Sequence, residues 1–395
     1  MTLIPDEVDT SSETRFRRAT EGVIGVPATE SNRIEVLRNG DEIFPSMLDA
    51  IADARHTIDF LTFVYWKGEI GRTFAHALAD AAGRGVRVRV LLDSWGAHTI
   101  ERALVDLLEG AGVDVGWFRP LGRVPIGQMN HRTHRKVLIV DEAVGFTGGV
   151  GIADQWTGDA QDEDHWRDTH FRIAGPAVDG LRAAFLDNWS ETSPELFDES
   201  VDRFPHHQPG PGSAVVQCVR GASETGNSDI YTLFRTLIQL AQERIRIATA
   251  YFAPDDEIID RLVRAARRGV EIELLLPGPH ADKRFVQLAS QETFAPLFDA
   301  GIHVWTYQPT MLHAKVMTVD GVVSNIGSAN FNARSTRLDE EINVVAIDRD
   351  LTSVLDRQFD DDLVSSRRVD PGVWRRRSPV ERAVGLALAP FRRVF

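Results

Sequence analysis

A single cysteine in 395 residues, Cys218, excludes an intrachain disulfide and any zinc–cysteine or dithiol chemistry. Lying in the apolar stretch 214–219, it reads as a buried thiol. No stretch reaches the roughly 18 consecutive apolar residues that a bilayer-spanning helix needs. The acidic first 13 residues lack the apolar centre of a secretory leader. Positive charge is also short: 44 Lys and Arg stand against 58 Asp and Glu, for a net charge of −14. Nucleic-acid affinity rests on many lysine and arginine contacts to phosphates, so a dedicated nucleic-acid coat is not expected. Any anionic substrate must instead meet a local positive site. These absences predict a cytoplasmic protein that could at most lie on the inner face of a membrane. With 43% hydrophobic and 26% charged residues, the composition is otherwise that of an ordinary globular protein.

Buried-strand patterns alternate with helical ones, which predicts an α/β fold. Strands are expected at 57–65, 86–92, 113–118, 135–140 and 169–173, with helices at 69–82, 100–109 and 178–189. The Pro/Gly-rich stretch 206–213 reads as a linker. The order then restarts, with strands at 244–251, 270–276, 302–306 and 314–319 and helices at 256–266 and within 283–299. The wording repeats as well. AAGRGVRVRVLLD at 81–93 matches AARRGVEIELLLP at 265–277, and HRKVLIVDEAVGFTGG at 134–149 matches HAKVMTVDGVVSNIGS at 313–328. The chain is an internal duplication, whose halves should pack about a pseudo-two-fold axis with equivalent elements facing each other. The expected division is an N-terminal extension 1–30, lobes 31–205 and 214–366 joined by the linker 206–213, and a tail 367–395. That tail is rich in arginine around Trp374, with an apolar stripe of Val380, Val384, Leu388 and Phe391. Its spacing fits a basic amphipathic helix for an anionic membrane surface, or equally a terminal helix docked on the body.

Alternate residues of a strand share a face, so His134 with Lys136, and His313 with Lys315, each present an imidazole and an ammonium together. One such pair is commonplace. Two in matching context are not: each is followed by an aspartate, Asp141 or Asp320, and then by a small pair, Gly148-Gly149 or Gly327-Ser328. On these residues the chain resembles the phospholipase D superfamily, whose signature is a doubled HxKxxxxD segment followed by a small pair and asparagine. The wording SANFNARSTRLDEEIN at 328–343 and WRDTH at 166–170 looks most like bacterial cardiolipin synthases and their close relatives.

The resemblance implies two pseudo-symmetric lobes, each a mixed sheet flanked by helices, with one active site at their interface. It implies phosphatidyl transfer between phospholipids through a phosphohistidine. Alternatives are hydrolysis to phosphatidic acid, a phosphodiesterase or nuclease activity, and an inactive lipid-binding scaffold. A phosphodiester is anionic, so Lys136 and Lys315 would face its non-bridging oxygens with Asn330 as a neutral donor. One imidazole must be neutral to attack phosphorus and the other protonated to release the alcohol, states that two histidines titrating near neutrality would supply. By resemblance His134 is the nucleophile and His313 the general acid, an assignment that pseudo-symmetry allows to be reversed. Glu341 matches the orienting acid of His313, and Asp168 that of His134. Asp141, Asp320, Gly149 and Ser328 read as support. Where the signature places an asparagine after the first small pair, this chain has Gly151. His131 with His134 lacks HExxH or cysteine companions, and the acidic loop 159–164 lacks EF-hand order, so no metal or cofactor is expected. The aromatic residues Tyr65, Trp66, Trp95, Trp156, Trp166 and Phe331 would suit an entrance for lipid, though core packing explains them as well. Oligomeric state is not legible.

Overall fold

A computed structural model of the chain describes residues 11–120, 122, 129–197, 210, 212–221 and 228–378, with 383, 385, 387 and 388. Most of the predicted linker and most of the tail beyond 378 lie outside them. The first half runs α1 (Ser12–Ile24), β1 (Thr29–Arg38), α2 (Asn39–Asp53), β2 (Thr57–Thr62), α3 (Glu69–Gly83), β3 (Arg87–Asp93), α4 (Arg102–Gly110), β4 (Asp114–Phe118), β5 (Val137–Val140), β6 (Val144–Gly148), β7 (Thr169–Ala174) and α5 (Val178–Trp189). The second runs β8 (Ala214–Gly221), α6 (Asp229–Leu240), β9 (Arg244–Thr249), α7 (Asp256–Arg267), β10 (Glu271–Pro277), α8 (Arg284–Gln291), α9 (Phe294–Asp299), β11 (His303–Tyr307), β12 (Lys315–Val319) and β13 (Val323–Gly327). It ends with α10 (Ala333–Arg337), β14 (Glu341–Ile347), α11 (Arg349–Val364), β15 (Ser366–Arg368) and α12 (Pro371–Arg375).

Strand order shows the duplication directly. The first half reads β7-β6-β5-β2-β3-β4 and the second β14-β13-β12-β9-β10-β11, each antiparallel on one side and parallel on the other. Between them β1 pairs antiparallel with both β7 and β8, so the two mixed sheets meet edge to edge. The central strands are buried along their length, as β2 is at all six positions, which explains their unbroken apolar runs. Helices form where apolar residues recur on one face. In α7, Ile258, Ile259, Leu262 and Val263 point inward, and the Asp255 side chain caps the first turn by accepting from the Ile258 amide.

Each half has its own core, and a third apolar cluster joins them. That cluster brings Leu61, Val137, Ile139, Phe171 and Phe185 together with Val216, Ile326, Ile342, Val344 and Leu355. Cys218 lies there too, its thiol pushed up to about 12 by burial. Two buried arginines add polar ties. Arg135 donates to the carbonyls of Glu341 and Gly221, and Arg167 pairs with Asp362 at 2.9 Å.

At both ends the described residues pack onto the lobes, and at the start of the tail this is the docked alternative. Residues 11–30 are not an extension apart from the lobes, because α1 places Phe16 in the core of the second half and β1, which starts at Thr29, completes the sheet of the first. The start of the tail is docked as well: β15 extends the sheet beside β11, Trp374 packs edge-on against Phe298 at 5.4 Å, and Arg375 and Arg377 pair with Asp299 and Glu292. Of the apolar stripe, Val380, Val384 and Phe391 lie outside the described residues.

Candidate active site

Both histidines precede their strands rather than lying on them. β5 begins at Val137 and β12 at Lys315, so His134, Lys136 and His313 sit in the lead-in segments, which pair with the opposite half instead. Thr133 bridges Glu340 and Leu312 bridges Arg167, both in parallel. The His134 amide donates to the Glu340 carbonyl at 2.8 Å, and the His313 amide to the Arg167 carbonyl at 2.7 Å. Each histidine is thus held by backbone against the segment that carries an acid in the other half.

The acids follow from that pairing, and they reverse the expected assignment. His134 Nδ1 lies 3.0 Å from Glu341, and His313 Nδ1 lies 2.9 Å from Asp168. Asp168 does not serve His134, nor Glu341 His313, because the pseudo-two-fold axis carries each acid-bearing strand end across to its counterpart's motif. In a neutral ring facing a carboxylate Nδ1 carries the proton, which leaves Nε2 with the lone pair.

The small pair after each motif makes room for these acids. A Cβ on Gly149 would fall 2.2 Å from an Asp168 oxygen, so only glycine fits there. At the equivalent place Ser328 donates its hydroxyl to Glu341. Asp168 also accepts from the Trp156 indole at 2.9 Å and from the Thr169 amide at 2.8 Å. Asp141 and Asp320 stand apart from the chemistry. Each accepts three consecutive backbone amides, Arg55 to Thr57 and Gln242 to Arg244, and so fixes the entry to β2 or β9.

Four basic side chains converge without four full charges. Burial, then Lys136, Lys315 and His313, hold His134 well below the ordinary imidazole range. Burial and Lys315 push His313 down to about 4, against the pull of Asp168. The ammonium groups yield too: burial brings Lys136 down to about 8 and Lys315 to about 7. The acids differ because their donors differ. Burial raises Glu341, whereas at Asp168 the His313 hydrogen bond and nearby cations outweigh burial and lower it. The expected near-neutral histidines are therefore neutral in the unliganded site, and an arriving anion would draw protons onto the cluster.

His134 lines a cleft of about 460 Å³ between the halves, with Phe63, Trp95 and Arg132 on one side and Tyr251, Lys283, Phe285, Asn330 and Asp339 on the other. The side-chain oxygen of Asn330 is buried without a partner. Opposite, Gly151 has no space for the asparagine of the signature, since a Cβ there would come within 2.6 Å of Val64. Half of the flagged aromatics are core: Tyr65, Trp156 and Phe331 are buried, Trp156 standing edge-on to His313 at 5.1 Å, and Trp66 and Trp166 are partly buried against the first core. Trp95, 59% exposed, is the one of them that lines the cleft, joined there by Phe285, which the sequence did not single out. Asp339 was missed as well, having no counterpart in the signature to mark it. Among the described residues, no group of three or more His, Cys, Asp and Glu side chains could hold a metal.

Comparison with known proteins matches both halves of the chain. Residues 47–174 and 234–363 match the family described as cardiolipin synthase, PLD-like domain. Cardiolipin synthase 1 of Bacillus anthracis is 33% identical over 361 residues, covering 90% of this chain and 71% of that protein. Cardiolipin synthase of Geobacillus thermodenitrificans is 34% identical over 346 residues, 87% and 68% of the two chains. The solved phosphatidylserine synthase of Haemophilus influenzae shares the fold, with a TM-score of 0.73 over 96% of this chain and 98% of that one at 15% identity. With both halves matched, the chain belongs to the cardiolipin synthase family of phospholipase D-like proteins.

Proposed function

We propose that the chain acts as the cardiolipin synthases it resembles are named to, moving a phosphatidyl group from one phospholipid to the hydroxyl of another. One observation carries the reading: two histidines are each oriented by an acid from the opposite half and flanked by a lysine, His134 lining the cleft and His313 standing 6.2 Å from the ring of Tyr251, which lines it too. In the first step His134 Nε2 attacks phosphorus, the bond to the leaving alcohol breaks, and His313 gives its Nε2 proton to the departing oxygen. In the second, an acceptor hydroxyl yields its proton to His313, its oxygen bonds to phosphorus, and the P–N bond breaks.

His134 suits the nucleophile's part because it lines the cleft and is held neutral. His313 Nε2 lies 3.2 Å from the Lys315 ammonium. A bound phosphodiester brings the negative charge that lets His313 and both lysines take up protons, so charge arrives with the substrate. Glu341 and Asp168 fix the tautomers and stabilise each imidazolium as it forms. Asn330 contributes a neutral amide at the cleft wall. Lipid access is supported by Trp95 and Phe285, exposed on opposite sides of the cleft, with Lys283 also lining it to meet anionic headgroups. No helix among the described residues is long and apolar enough to cross a membrane, so this rim is the proposed contact with the lipid surface.

The test is incubation of the full chain with phosphatidylglycerol vesicles in EDTA, followed by mass spectrometry. Cardiolipin with glycerol is expected. Phosphatidic acid alone would replace transfer by hydrolysis, and an inert chain would overturn the enzymatic reading.

A further inference from the structure

The cleft holds more than the reacting groups need. Arg334 and Arg132 line it, yet neither is available to a phosphate. Arg334 Nε pairs with Asp339 at 2.8 Å, and Arg132 pairs with Asp93 at 3.0 Å. Two acceptor oxygens are left over: Oδ1 of Asp339 and Oδ1 of Asn330 are both buried and have no hydrogen-bond partner, in residues 7% and 3% exposed. Burial pushes the Asp339 carboxyl up to about 7, against the pull of Arg334. Unsatisfied buried acceptors are costly, so a cleft wall whose residues keep two of them fits a ligand that reaches in with hydrogen-bond donors. Phosphate diesters and acyl esters bring none. Hydroxyl groups do.

We propose that Asp339, positioned by Arg334, and Asn330 form a subsite for a polyol headgroup, holding one hydroxyl of the acceptor while its neighbour reacts. This rests on the transferase reading and assigns residues to its acceptor side. The held hydroxyl donates to Asp339 Oδ1. The adjacent hydroxyl loses its proton to His313, bonds to phosphorus and displaces His134 Nε2. A site built around a hydroxyl rejects analogues lacking it, by factors that reach about 10⁴ when buried polar groups are left unpaired. Asp339 is here a positioning and specificity residue, and water, with a single oxygen, cannot span both roles.

The experiment supplies phosphatidylglycerol vesicles with equal concentrations of deuterated glycerol and 1-propanol and reads the ratio of labelled phosphatidylglycerol to phosphatidylpropanol. The parent should favour glycerol by at least ~10-fold. In Asp339→Asn the amide oxygen turns to Arg334 and its NH₂ faces the cleft, so an acceptor becomes a donor and the preference should collapse toward unity. An unchanged ratio in the variant, or a parent that takes both alcohols equally, overturns the subsite. A second measurement needs no turnover: glycerophosphoglycerol, the deacylated headgroup, should bind the full chain by calorimetry roughly 10-fold more tightly than it binds Asp339→Asn or the more disruptive Asp339→Leu. Equal affinity overturns the subsite. Binding lost on substitution in a chain that turns over no lipid would retain the subsite and discard the transferase.

Discussion

Replacing Lys315 by methionine should make the protein more stable and nearly inactive. The ammonium is 4% exposed and titrates near 7, against 10.5 for the unburied side chain. Between those values the unfolded chain binds a proton that the folded chain lacks, so stability rises with pH through this window by up to about 1.4 kcal/mol per unit. At pH 7 the buried lysine therefore opposes folding by roughly 4 kcal/mol. Lys315→Met keeps the stem, deletes the charge, and should recover about 2–4 kcal/mol at pH 7 while flattening the pH dependence. Transfer should fall at least ~100-fold, because one fixed cation no longer faces the non-bridging oxygens. Urea unfolding followed by tryptophan fluorescence at pH 7 and 9.5 reads the first effect, and phosphatidylglycerol turnover the second. A variant no more stable than its parent, with the parent's full slope between pH 7 and 9.5, would refute the argument that the lysine is held discharged by burial.

Two glycines give further tests. Gly149→Ala should lower turnover at least ~10-fold, since its Cβ would displace the Asp168 carboxylate that orients His313; normal kcat would mean that this acid is not needed where it lies. Gly151→Asn, which restores the signature wording, should cost about 1–3 kcal/mol in unfolding experiments without raising activity, because Val64 already fills that space; a more active variant would contradict this packing.

The duplicated wording made the fold legible, and the strands and helices flanking the motifs lie close to where periodicity puts them. What pairing decides was hidden. Sequence order ties Asp168 to the first motif and Glu341 to the second, yet their partners lie across the axis, and no pattern along one chain reports which of two equivalent neighbours is nearer. Of the elements that escaped the reading, β1 and β8 lie at the join between halves, where the duplicated wording gives no guide, and α2 packs into the core of the first half. The charge state of the site was misjudged for a related reason: isolated histidines titrate near neutrality, but burial beside two ammonium groups overrides the intrinsic value. Asp339 carries no mark in the sequence, because its interest lies in one unsatisfied oxygen.

The parallel bridges that bind Thr133 to Glu340 and Leu312 to Arg167 have a consequence for how the protein comes into being. During synthesis the first motif emerges some two hundred residues ahead of the acid that will orient its imidazole, so the nascent chain carries a reactive histidine with no partner. The imidazole gains that acid only once β14 lies beside β8, so an active molecule is one whose two halves have joined.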